Sequence, residues 1–155
     1  MKVYFAAPLF SQAEREFNTN VVERIEEHCT VYLPQRDGAL MPNLIRGGAS
    51  PDEAMAIVFK QDIEAIRRSN LIVVVLDGRS VDEGAAFELG VAWAMDKSII
   101  GLRTDFRQLA SFGNNPMIQT PIEVLADSIE ELVEEIEKRA LFAGSSEPHQ
   151  FGQAG

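Results

Sequence analysis

The sequence predicts a single α/β domain in which helices cover both faces of a five-stranded parallel sheet. Three observations support this prediction. The chain has 155 residues, which suits one domain with a sizeable core. Strand-like segments alternate along it with amphipathic helical segments, the order that produces parallel sheets. Residues 71–76 (LIVVVL) are apolar throughout, as in a central strand that is covered on both faces.

The N-terminal segment predicts a strand followed by a helix. Residues 2–7 (KVYFAA) have the composition of a short strand, and Pro8 ends it. The stretch SQAE, from Ser11 to Glu14, is a capping box that starts a helix to about Glu27. Apolar residues recur in that segment at helical spacing, so one face of the helix should pack against the sheet.

A second strand is predicted at residues 30–33. Residues 34–49 are rich in Gly and Pro, and we expect a long loop there that is functional or mobile. A second capping box, formed by Ser50 and Glu53, starts a helix that runs to about Arg68.

The second half of the chain continues the alternation. Strands are predicted at residues 71–76, 98–102 and 122–125. Helices are predicted over residues 82–95 (DEGAAFELGVAWAM) and from a third capping box at residues 128–131 to about residue 142. Residues 103–120 are expected to be irregular. The domain should therefore span residues 1–142, and the tail, 143–155, lacks a core pattern and is expected to be mobile.

Composition excludes several classes of partner. The formal charge is −10 and no Lys/Arg cluster offsets it, so polymeric nucleic acid and anionic membranes are poor partners. No apolar run approaches the roughly 20 residues of a membrane span, and no cleavage-site pattern follows the N-terminus, which favours a cytoplasmic protein. Cys29 is the single cysteine, so no internal disulfide can form. It is interpreted as a small buried hydrophobe, with a catalytic thiol as the alternative.

Several motifs that carry chemistry are absent. There is no phosphate loop, and no GxGxxG follows the first strand. The two histidines, His28 and His149, lie far apart, so they do not have the spacing of metal ligands. Ser-His-Asp catalysis is also not expected, because neither histidine suits it. No cofactor and no metal are therefore expected. Ligands of parallel sheets bind at the carboxyl ends of the strands, where carboxylates remain as candidates.

Glu88 is the least ordinary of these carboxylates. Its neighbours at helical spacing are small and apolar: Gly84, Ala85, Val91 and Ala92. That face should pack against the sheet, where a carboxylate costs several kcal/mol unless it is paired or its pKa moves. Glu88 is thus either a rim carboxylate with a partner or a group held in an apolar pocket for catalysis.

Four other residues have an ordinary structural interpretation. Asp82 suits the start of a helix, where an anion is stabilising. Asp77, directly before Gly78, is interpreted as part of a turn. Spacing alone favours a surface position for Asp62. Tyr4 could donate a hydrogen bond at the site or be a core or rim aromatic.

Four segments together resemble the nucleoside 2-deoxyribosyltransferase family over about residues 2–125. They are YFAAPLFSQAEREFN, LPQRDG, the helix that carries Asp62, and LDGRSVDEGAAFELGVAWA. The segment D-E-G-x-x-F-E-L-G is the most specific. The resemblance implies a flavodoxin-like fold and homodimers or homohexamers with shared sites. It also implies transfer of deoxyribose from 2′-deoxynucleosides to free nucleobases.

The resemblance assigns catalytic roles to three residues. Glu88 matches the nucleophile, which would attack C1′ through an oxocarbenium-like transition state, as in retaining glycosidases. Tyr4 matches the tyrosine that orients it. Asp62 matches an aspartate at the base and would protonate the departing base.

The resemblance also assigns binding roles. Asp82 matches the aspartate that contacts the sugar, and Gly84 beside it leaves room for that sugar. Phe10 lies in the opening motif and Gln35, more weakly aligned, in the loop that meets the base. Asn115, with Asn114 as a competing assignment, matches an asparagine that reaches the neighbouring subunit's site.

Two alternative functions remain open. Related members hydrolyse deoxynucleoside 5′-monophosphates, with a serine at the position that Asp82 occupies here. A carboxylate there would accept a hydrogen bond from a 5′-hydroxyl but repel a phosphate dianion, which favours nucleosides. Arg36 and Arg46 are nevertheless possible phosphate ligands. The other alternative is a non-catalytic nucleoside-binding module.

Overall fold

The computed structural model describes residues 1–105 and 115–145. The elements are β1 (Lys2–Ala6), α1 (Gln12–Ile25), β2 (Thr30–Tyr32), α2 (Pro34–Asp37), α3 (Met41–Arg46), α4 (Pro51–Arg68), β3 (Leu71–Val75), α5 (Glu83–Ala94), β4 (Ser98–Leu102), α6 (Pro116–Gln119), β5 (Val124–Ala126) and α7 (Ile129–Ser145). The five strands are parallel and lie in the order β2-β1-β3-β4-β5, so the predicted fold class is confirmed.

The sheet separates two hydrophobic cores. On one face Val3 and Phe5 of β1 pack with residues of α1 and α7, including Ile25 and Leu132. On the other face Tyr4 and Ala6 pack with residues of α4 and α5. Because successive side chains of a strand point to opposite faces, Tyr4 is directed towards α4 and α5. Every residue of β3 is buried, as its apolar sequence predicts for a central strand.

The expectation of a long loop over residues 34–49 is wrong. The chain there forms α2 and α3, each with a proline in its first turn, Pro34 and Pro42. Proline suits that position because it has no N–H to leave unsatisfied. Tertiary contacts hold the segment, since Gln61 of α4 accepts from the Ala39 N–H at 3.0 Å.

The C-terminal region differs from the prediction in smaller ways. The last strand lies one to two residues later than expected, and α7 continues to Ser145, past the predicted end near residue 142. Residues 103–120 were expected to be irregular, yet residues 116–119 form α6. The remainder of the tail, 146–155, lies outside the described residues, so its mobility stays a prediction. Within the described ranges no helix is both long and apolar enough to cross a membrane.

Candidate active site

Tyr4 and Glu88 meet at the face of the sheet that α4 and α5 cover. The Tyr4 side chain is fully buried, and its hydroxyl donates to Glu88 Oε1 at 2.5 Å. Helix α5 packs on the sheet through Ala85, Leu89 and Ala92, and this packing fixes the direction of Glu88. Glu88 thus has the hydrogen-bond partner expected of a rim carboxylate, and it is partly buried against the sheet, as the catalytic alternative requires.

Burial raises the pKa of Glu88 to about 7. The hydrogen bond from Tyr4 opposes this shift, whereas the negative charges of Asp62 and Asp82 add to it. Burial and the negative charges of Glu88 and Asp62 raise the pKa of Tyr4, so its hydroxyl keeps its proton and remains a donor. A carboxyl group with this pKa is partly ionised near neutral pH, as a nucleophile or a general base requires.

A second tyrosine–carboxylate pair lies beside the first. Tyr32 is the register partner of Tyr4 in the neighbouring strand, and the two rings stack with centroids 5.5 Å apart and planes 17° apart. The Tyr32 hydroxyl donates to Asp62 Oδ1 at 3.1 Å. Burial raises the pKa of Asp62, and the bond from Tyr32 opposes that shift. Asp62 is half-buried, so its side chain is less exposed than the surface position that spacing favoured.

Asp82 begins α5, as its sequence position predicts. Its Oδ2 accepts a hydrogen bond from the Ala85 N–H at 3.0 Å and caps the helix. A Cβ at Gly84 would lie 3.1 Å from the same oxygen, so glycine leaves room for the capping carboxylate. The negative charge of Asp82 also contributes to the raised pKa of Glu88, which places it near the nucleophile candidate.

An open cleft of about 470 Å³ lies between the turns that follow β1 and β3. It is lined by Pro8, Glu14, Asp77, Gly78, Ser80, Val81, Asp82 and Glu83. Four of these described lining residues are acidic and none is Lys or Arg. The cleft therefore adjoins Asp82 with a surface that favours hydroxyl groups over anions.

Asp77 has a larger structural role than a turn. Its carboxylate accepts from the Thr104 N–H and hydroxyl at 2.7 and 2.6 Å and from the Asp105 N–H at 2.9 Å. These bonds tie the end of β3 to the segment that follows β4. Gly78 has a φ of +109°, a conformation that favours glycine.

The contacts of the remaining predicted binding residues are with their own or neighbouring segments of the fold. Gln35 is fully engaged with α1, because its amide donates to Arg15 O and Thr19 Oγ1 and accepts from Asn18. Phe10 is 77% exposed. Asn115 caps α6 by accepting from the Met117 N–H at 3.0 Å, whereas Asn114 lies outside the described residues. Their substrate-binding roles stay predictions.

Of the two arginines named as possible phosphate ligands, Arg36 is engaged by carboxylates, whereas Arg46 is exposed and bonds neutral acceptors, so its role stays a prediction. Arg36 binds both carboxylate oxygens of Glu26, both of Asp37 and the Val31 carbonyl. Arg46 donates to Pro42 O and Asn43 Oδ1 within its own short helix.

Sequence reasoning missed two residues of this region, Tyr32 and Asn18. Tyr32 could have been found only from the strand register that places it beside Tyr4. Asn18 is 1% exposed, and its amide donates to Pro8 O and Gln35 Oε1, so it holds the turn after β1 against α2. Its signal was a polar residue one turn before the apolar Val21 and Val22.

The described part of the chain contains neither a metal cluster nor an activated thiol. Across residues 1–105 and 115–145 no group of three His, Cys, Asp or Glu side chains could hold a metal ion. Burial raises the pKa of Cys29 to about 11, and its thiol donates to Ile25 O. Cys29 is partly buried, packs against the core and directly precedes β2. These features favour the interpretation as a small hydrophobe over a catalytic thiol.

The sheet order and the carboxylates at its carboxyl edge define the class of protein, a flavodoxin-like α/β domain with a candidate site for acid–base or nucleophilic chemistry. Residues 3–141 match the model of the nucleoside 2-deoxyribosyltransferase family. The chain therefore belongs to this family, an enzymatic one. Comparison with proteins of curated function finds no match.

Solved structures share this fold. A conserved protein from Enterococcus faecalis V583 is 31% identical, with a TM-score of 0.73 over 89% of this chain and 98% of that one. A 2-deoxyribosyltransferase from Bacillus psychrosaccharolyticus is 20% identical, with a TM-score of 0.69 over 86% and 90%. A CMP N-glycosidase from Clostridium botulinum is 22% identical, with a TM-score of 0.53 over 88% and 99%. The last two similarities establish the fold alone.

Proposed function

We propose that this protein is a nucleoside 2-deoxyribosyltransferase that uses Glu88 as its nucleophile. The observation that carries the proposal is the pairing of a partly buried Glu88 with the Tyr4 hydroxyl, beside a second carboxylate, Asp62, held by Tyr32. Family membership supports the same reaction class. A purely binding module has no need for a nucleophile whose pKa lies near neutrality.

In the first half-reaction the Glu88 carboxylate attacks C1′ of the deoxynucleoside. A bond forms between C1′ and a carboxylate oxygen while the C1′–N bond breaks, and its electron pair goes to the base nitrogen. Asp62 donates a proton to the departing base, so the base leaves neutral. The raised pKa of Asp62 supports this role, because burial favours its protonated form.

In the second half-reaction another nucleobase attacks C1′ from the face that the first base left. The ester to Glu88 breaks, and Asp62 accepts the proton that the incoming nitrogen loses. Two inversions at C1′ retain the anomeric configuration. Water that reaches the ester first gives free deoxyribose, so transfer requires the site to limit water while bases exchange.

The charges around the cleft favour nucleosides over their 5′-monophosphates as substrates. Asp82, Glu83 and Glu14 line the cleft, and a phosphate dianion there would meet like charges. The Arg36 guanidinium, a possible phosphate ligand by sequence, is engaged by Glu26 and Asp37 instead. A 5′-hydroxyl could donate to Asp82, whose Oδ1 is not the oxygen that caps α5.

Assembly into homodimers or homohexamers with shared sites is part of the proposal. Phe59 of α4 and Phe87 of α5 are about half exposed, and their rings contact at a centroid distance of 6.0 Å. An exposed aromatic pair is more typical of an interface than of a free surface. Sedimentation or light scattering would measure the state of the chain in solution.

An exchange assay tests the proposed activity. Deoxyinosine incubated with adenine should give deoxyadenosine, and Glu88→Ala should abolish the product. The deoxynucleoside should also be a better donor than its 5′-monophosphate. Release of deoxyribose without any exchange product, at high adenine concentration, would leave a hydrolase rather than a transferase.

A further inference from the structure

Tyr32 contacts both tyrosine–carboxylate pairs of the candidate site: its hydroxyl bonds Asp62, and its ring stacks on Tyr4, the partner of Glu88. It lies at the end of β2, level with Tyr4 in β1, and its ring stacks on the Tyr4 ring. Its hydroxyl reaches across to α4 and donates to Asp62 Oδ1 at 3.1 Å. The Tyr4 hydroxyl reaches α5 in the corresponding way.

The position of the Tyr32 hydroxyl is set by its surroundings. A Cβ at Gly38 would lie 3.1 Å from Tyr32 Oη and would clash with the Pro34 carbonyl at 2.5 Å. The turn at the end of α2 can therefore close over the hydroxyl because residue 38 is a glycine. Stacking on a fully buried ring restrains the other side of Tyr32.

We propose that Tyr32 is a positioning residue for protonation of the leaving base, which it governs by holding the Asp62 carboxyl group in register with the nucleophile. The inference rests on the proposed transferase function and adds a residue that acts through the acid. The hydrogen bond fixes one Asp62 oxygen and leaves the other for the base. After Asp62 gives its proton to the base nitrogen, the same bond stabilises the resulting carboxylate.

Two donors separate this role from a packing role. Deoxyguanosine needs a proton on its base to leave, whereas in 2′-deoxy-7-methylguanosine the base already carries a positive charge and leaves without an acid. Tyr32→Phe keeps the ring and its stack and removes only the hydroxyl. We expect kcat for deoxyguanosine to fall about tenfold or more, the effect of losing a hydrogen bond to a charged group. Cleavage of the methylated donor should change less than about twofold, because it bypasses Asp62.

Tyr4→Phe is the matched control, since it removes the other hydroxyl of the stacked pair. It should slow both donors, because both need Glu88. Thermal unfolding and circular dichroism of each variant establish that the fold is retained.

The possible outcomes are distinct. An equal loss for the two donors in Tyr32→Phe, or no loss for either, would overturn the positioning role and leave the proposed function intact. A wild-type chain that cleaves neither donor would instead refute the proposed function, and the inference with it. Selective loss of deoxyguanosine cleavage supports the inference.

Discussion

Replacement of Glu88 by glutamine should make the protein more stable at alkaline pH, although it removes the proposed nucleophile. Burial raises the pKa of Glu88 from 4.5 to about 7 in the folded chain, so the folded state holds its proton more tightly than the unfolded state. The stability that this group contributes is full below its unfolded pKa and is lost as the pH rises through its folded pKa. One pKa unit corresponds to about 1.4 kcal/mol, so the ionised carboxylate costs the fold roughly 3 to 4 kcal/mol at high pH.

Urea unfolding of wild type and Glu88→Gln at about pH 5.5 and about pH 8.5 measures this cost. Glutamine can still accept from Tyr4 but carries no charge, so its stabilising effect should grow by about 2 kcal/mol between the two pH values. Glu83→Gln is the control, because Glu83 is an exposed carboxylate on the same helix and its replacement should show no such pH dependence. An equal effect of Glu88→Gln at both pH values, or a less stable variant at the alkaline one, would refute the reasoning.

Three further predictions concern activity. Transfer by the wild type should rise as Glu88 ionises, with an acid limb near its pKa of about 7; a flat profile across that region would contradict an ionised nucleophile. Tyr4→Phe removes a hydrogen bond that lowers the pKa of Glu88, so the acid limb should move to higher pH. The value of kcat should fall about tenfold or more. An acid limb that does not move would argue against the influence of Tyr4 on Glu88. Asp82→Ser keeps a helix cap but removes a charge. The ratio of kcat/KM for a deoxynucleoside 5′-monophosphate to that for the nucleoside should therefore rise about tenfold; an unchanged ratio would show that Asp82 does not select against phosphate.

Local sequence signals were sufficient for the main elements of the fold. The capping boxes at Ser11 and Ser50 are both present, with the serine and the glutamate of each box bonding the backbone reciprocally. The apolar strand over residues 71–75 is buried at every position. These signals work because they depend on residues within one turn of a helix or one strand, and the alternation of elements then fixes a parallel sheet.

The short helices α2 and α3 could not be predicted in the same way. They have four and six residues, too few to show a helical period. Long-range contacts hold them instead, such as the bond between Ala39 and Gln61 and the bidentate pair of Arg36 with Glu26. Gly and Pro content alone does not distinguish this arrangement from a loop.

The sequence predicts those residues of the candidate site whose unusual feature lies within one short segment. Glu88 could be recognised from the sequence, because a glutamate among small apolar residues of one helix is unusual. Tyr32 and the burial of Asp62 depend on which residues face each other across neighbouring strands and helices. Tyr4 and Tyr32 are brought together only by the register of β1 with β2, which no nearby sequence pattern records.

Covalent labelling tests the central claim, that Glu88 is the nucleophile, most directly. The protein is mixed with a deoxynucleoside donor, without acceptor base, quenched in acid, digested and analysed by peptide mass spectrometry. We predict one added deoxyribosyl group on the peptide that contains Glu88, and fragmentation should place the group on that residue. The adduct should be lost when an acceptor base is added before the quench. Exchange activity without an adduct on Glu88, or with the deoxyribosyl group on another residue, would contradict the assignment.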